Sequence, residues 1–127
     1  MLIEALAAIV FHEAAHILTA LGLKVKVKKI GVTWKGPYVQ RESGSSRQNF
    51  AITLAGPMIN LLLATVFRHL DPAFALVNVV LGVFNLLPIP SSDGSRLLSL
   101  LLSGELRAPA APAELNVEKT APHSNAA

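Results

Sequence analysis

The chain contains no cysteine, which removes both a disulfide scaffold and every cysteine-ligated metal site from consideration. It is also poor in charge: 15% of its 127 residues are Asp, Glu, Lys or Arg, against 52% hydrophobic. So few charges and so much apolar surface exclude a disordered chain and are unusual in a small soluble domain. The length suits one domain with one core. A net charge of +3 does not indicate a nucleic-acid groove, because the basic residues are not spread over a face. Seven of the eleven (Lys24, Lys26, Lys28, Lys29, Lys35, Arg41, Arg47) fall in one polar stretch between two apolar ones. That is the charge pattern of a loop between membrane spans.

Long hydrophobic runs are what the chain has instead. Residues 1–23 are nearly continuous apolar sequence, about 34 Å as a helix and enough to cross a bilayer core. Residues 50–67 and 73–90 are two further candidate spans, the last closed by Pro88 and Pro90. Between the first two, residues 24–41 alternate apolar and basic around a Gly36-Pro37 turn signal and read as a short β-hairpin whose alternation slips at Lys28-Lys29. Trp34 and Tyr38 suit a membrane interface. Residues 95–103 read as a short interfacial helix, and 104–127, rich in Ala and Pro, as a disordered tail. The expected fold class is thus a mainly α polytopic membrane protein: three transmembrane helices, a small hairpin between spans one and two, and a core over residues 1–103. The positive-inside rule puts the loop at 24–49 and the C-terminus in the cytoplasm. The C-terminal ends of spans one and three then lie on the same side.

Four polar groups interrupt the first span: Glu4, His12, Glu13 and His16. In lipid such groups are costly unless they pair, bind a ligand or face water. His12-Glu13-Ala14-Ala15-His16 is an HExxH motif. Residues four apart share a helix face, so both imidazoles can reach one zinc, while Glu13, about 100° round the helix, can take a proton from an attacking water. The competing reading makes the two histidines interhelical hydrogen-bond donors with Glu13 as their buried counter-charge. A catalytic zinc needs a third protein ligand. A histidine six residues beyond the motif is excluded, since position 22 is Gly. Of the two aspartates, Asp71 falls on the wrong side of the membrane and Asp93 on the correct one. For Asp93 the bland alternative is an N-cap on the following helix, a role open to Ser92 as well.

With these residues in place, the sequence resembles the site-2 protease family of intramembrane zinc metalloproteases. HExxH lies in the first span, Gly56-Pro57-Met58-Ile59-Asn60 in the second, and Asn85-Leu86-Leu87-Pro88 followed by Asp93-Gly94 in the third. The match runs over residues 1–103. It implies His12, His16 and Asp93 as ligands of one Zn2+ per chain, Glu13 as catalytic base, and Asn85 with Pro88 holding the substrate strand. Where the family usually has Leu before the ligand aspartate and a second Gly after it, this chain has Ser92 and Ser95. The implied activity is hydrolysis of peptide bonds in a transmembrane protein substrate; the alternative is a non-catalytic adaptor that keeps the fold. Expected partners are the lipid bilayer, the substrate, and a regulatory membrane protein or a second copy of the chain, with no nucleic acid.

Overall fold

The computed structural model describes residues 1–34, 36–41 and 44–107. Four helices and one strand pair follow in the order α1 (Leu2–Gly22), β1 (Val27–Thr33), β2 (Gly36–Arg41), α2 (Ser46–Phe67), α3 (Pro72–Leu86) and α4 (Asp93–Leu102). The region read as a disordered tail lies, from residue 108 onward, outside the described residues.

Each boundary has a local cause. At the end of α1, Lys24 takes up left-handed backbone (φ 59°). Its N–H donates to Leu21 O, and Val25 N–H donates to Ala20 O at 2.8 Å. This is a Schellman closure, with lysine where glycine is commonest. Val25 then packs on Ala20 and Ile52, so the chain turns out of α1 directly onto α2. β1 pairs antiparallel with β2, and the register shifts between Val27 and Lys29. α2 begins four residues before the expected 50, because Ser45 and Gln48 form a reciprocal capping box. Gln48 Nε2 also donates to Leu23 O at 3.0 Å, tying the two helix ends together.

α3 opens with Asp71 as N-cap, accepting from Phe74 N–H at 3.0 Å, and with Pro72 in the first turn. It stops at Leu86 rather than running on to 90. Leu87 precedes a proline and is extended (φ −67°, ψ 141°), as steric conflict with the proline ring demands. α3 is therefore 15 residues long, about 22 Å, and among the described residues only α1 and α2 are long and apolar enough to cross a bilayer as straight helices. The short fourth helix begins at Asp93, two residues before the expected start.

α2 packs against both α1 and α3, and α4 closes onto α2 and α3. Phe74 stands edge-on to Phe11 and Phe67 and links the three long helices. The interior is small and polar: Ala8, Ala20, His12, Thr53, Asn60 and Asn78 are buried, while Ile3, Leu18, Leu62 and Leu76 are more than half exposed. A water-soluble core would have the opposite distribution. Small residues inside and large apolar ones outside are what helices packed in lipid require.

Candidate metal centre

His12 and His16 project from one face of α1, with their Nε2 atoms 3.1 Å apart. Asp93 Oδ2 sits 3.1 Å from the first and 3.2 Å from the second. The three atoms form a nearly equilateral triangle. Tetrahedral zinc with bonds of about 2.0–2.1 Å sets its donors about 3.3–3.4 Å apart, so a small expansion of the triangle accommodates the ion.

The remaining ring nitrogens say why a cation belongs there. His16 Nδ1 lies 2.6 Å from Ile52 O, a backbone carbonyl that can only accept. His12 Nδ1 lies 2.7 Å from Asn60 Oδ1. Both Nδ1 atoms therefore carry a proton, and either ring in its neutral form turns a bare Nε2 lone pair inward. Two lone pairs and a carboxylate oxygen at this separation repel one another. One imidazolium proton could bridge a single edge of the triangle; a divalent cation satisfies all three corners. The Nδ1 contacts are the outer-shell bonds that metal-binding histidines make.

The backbone of α2 is shaped to this cluster. A β-carbon at Gly56 would overlap the imidazole of His16 and come within 2.7 Å of His12 Cε1, so only glycine lets α2 lie against both rings. Pro57, buried in mid-helix, lacks the N–H that would bond Thr53 O and crowds the preceding turn. Ile52 O, in that same turn, is the acceptor for His16.

α4 delivers the third corner. Ser92 is its N-cap, accepting from Ser95 N–H at 3.1 Å and donating its hydroxyl to Leu87 O at 2.6 Å. This leaves Asp93, the first helical residue, to face the histidines. Gly94 makes the docking feasible, because a β-carbon there would strike the carbonyl groups of Leu86 and Leu87.

Glu13 is half-buried on α1, one residue round from His12. Asp71 caps α3 and takes no part in the cluster. Asn85 donates Nδ2 to Leu81 O within its own helix, and Pro88 is exposed in the turn that follows, where Ile89 N–H donates to Leu87 O. The structure thus brings together His12, His16 and Asp93 and leaves Asn85 and Pro88 outside that hydrogen-bonded group. Sequence reasoning assigned no role to Asn60 beyond its motif, and passed over Asn78 altogether. The available signal was an amide flanked by apolar residues near the middle of each helix.

No protein-family model matches the chain. It is 34% identical over 117 residues to Rip2 of Mycolicibacterium smegmatis, covering 78% of this chain and 45% of that one. It is 28% identical over 108 residues to a zinc metalloprotease of Methanocaldococcus jannaschii, covering 75% and 32%. The solved structure of the site-2 protease from M. jannaschii superposes with a TM-score of 0.69 at 26% identity, over 80% of this chain and 53% of that one. The chain belongs to the site-2 protease family. It spans less than half the length of these curated relatives. Zinc is the cofactor of this family's metalloproteases, and the donor set of His12, His16 and Asp93 fits it. Of the two departures from the family pattern, Ser92 caps α4 in place of a leucine. Ser95 donates its hydroxyl back to Ser92 O at 2.8 Å and closes the same turn.

Proposed function

We propose that residues 1–103 form the core of an intramembrane zinc endopeptidase. The observation that carries this reading is the convergence of two bare imidazole nitrogens and a carboxylate oxygen beside a glutamate, inside a helical fold that is apolar on its outside. In the proposed reaction His12, His16 and Asp93 hold the metal, which when bound supplies Lewis acidity for the scissile carbonyl and an acidified water. Glu13 takes the proton from the attacking water and returns it to the leaving amine.

A transmembrane helix keeps its carbonyls in internal hydrogen bonds, so the substrate must unwind locally before it can be cut. The edge of the β1–β2 pair can take the unwound segment as an added strand. The exposed segment at 87–90, between Asn85 and Asp93, offers a second contact surface for the substrate, which is the proposed role of Asn85 and Pro88. Charge asymmetry orients the core with the strand pair and the C-terminal side in the cytoplasm.

The test is proteolysis in reconstituted vesicles, with a single-span peptide library as substrate and zinc content measured in parallel. Wild type should cleave, and a chelator should stop it. Zinc-loaded wild type that cuts no member of the library would overturn the protease reading and leave a metal-binding membrane protein.

A further inference from the structure

α3 contributes no metal ligand, yet its buried Asn78 is joined to the centre by an unbroken chain of hydrogen bonds. Asn78 Nδ2 donates to Phe74 O at 2.9 Å, Asn60 Nδ2 donates to Asn78 Oδ1 at 2.9 Å, and Asn60 Oδ1 receives His12 Nδ1 at 2.7 Å. Both asparagines are completely buried. A side-chain amide can face either way, so something must decide its direction. Here the decision is made at Phe74 O, a backbone carbonyl that can only accept. It draws the NH2 of Asn78, which turns Asn78 Oδ1 toward α2. That oxygen draws the NH2 of Asn60, helped by Ala8 O at 3.4 Å, and so turns Asn60 Oδ1 toward His12. His12 must then carry its proton on Nδ1 and present a bare Nε2 to the metal. Gly82 allows the close approach this requires, its hydrogen side lying against Asn60 Cβ and Leu61.

We propose that Asn78 is a positioning residue for the metal centre: by polarising Asn60 it sets the tautomer of His12 and so couples zinc affinity to the seating of α3. Without Asn78 Oδ1, Asn60 loses its stronger acceptor and is free to flip. The flipped amide offers NH2 to Nδ1 and moves the imidazole proton to Nε2, where it competes with the ion. This inference rests on the metal reading of His12, and not on peptide hydrolysis.

The experiment is a double-mutant cycle of zinc affinity, by chelator competition on the full chain in detergent, with the 15N shifts of His12 recorded on the metal-free protein. Asn78→Leu should weaken zinc about tenfold or more, within the 10–100-fold range of outer-shell changes, and shift His12 toward the Nε2–H form. In an Asn60→Asp background it should do neither, because a carboxylate presents an acceptor to His12 whichever way it turns. Equal losses in the two backgrounds would show that Asn78 only packs, and would overturn the proposal. So would an unchanged tautomer. Asn78→Ser, too short to reach Asn60, serves the same comparison if the leucine variant does not fold. Failure of wild type to bind zinc would overturn the metal reading itself, and the proposal with it.

Discussion

Gly56 on α2 and His16 on α1 are in contact so close that glycine is the only residue the geometry admits: any β-carbon at 56 would occupy the space of the imidazole. The helix interface and the metal centre are therefore one feature. Gly56→Ala should push His16 off its bond to Ile52 O, lowering zinc affinity at least tenfold and costing about 1–3 kcal/mol as overpacking. Chelator competition together with thermal unfolding in detergent checks both. Unchanged affinity would mean that α2 yields more easily than a packed helix should.

Asp93→Ala removes one corner of the triangle and leaves two histidines, too few for a closed site. Elemental analysis should find about one zinc per wild-type chain and little in the variant. Stripping wild type with a chelator should lower its melting temperature, because an ion that binds only the folded state stabilises it. Full zinc retention in the variant would put the third ligand elsewhere.

Glu13→Gln should keep the metal, since Glu13 is not a corner of the triangle, and lose turnover by a factor of about 10² or more, the scale of a missing general base. Zinc content and cleavage measured on the same preparation separate the two effects. Wild-type turnover in this variant would sink the mechanism.

Ser92→Ala takes away the cap of α4 and its anchor on Leu87 O. A loss of about 1 kcal/mol in stability is expected, with a smaller weakening of zinc because Asp93 stays in the chain but is held less firmly. If the variant matched wild type in both melting temperature and zinc affinity, Ser92 would have no part in presenting Asp93.

Much of this was legible locally. The spacing of His12 and His16 is a property of any helix, and α1 needed only its apolar run to be recognised. The slip in alternation at Lys28-Lys29 coincides with the register shift between Val27 and Lys29. Pro88 carried the information that ends α3 at Leu86, but continuous hydrophobicity as far as Pro90 hid it: apolar character reports where a segment is solvated, while the pre-proline clash decides where its backbone can stay helical. The early start of α2 escaped for the opposite reason, because a capped first turn is polar and breaks no apolar pattern.

What the sequence by itself determined, then, was the chemistry available: one HExxH helix, few carboxylates to complete it, and a chain that lipid solvates better than water. The tertiary structure decided how those groups are used. The cap was open to Ser92 as well as to Asp93, with Asp93 favoured as the ligand, and the docking of α4 on α3 and α2 gives the cap to Ser92 and turns Asp93 toward the two histidines. Asn60 and Asn78 lie 18 positions apart on different helices. Their hydrogen bond, and the proton it places on His12, exists only because glycines at 56 and 82 let three helices approach within side-chain reach. Hydrogen-bond direction depends on which acceptor stands opposite which donor, and that is settled by packing.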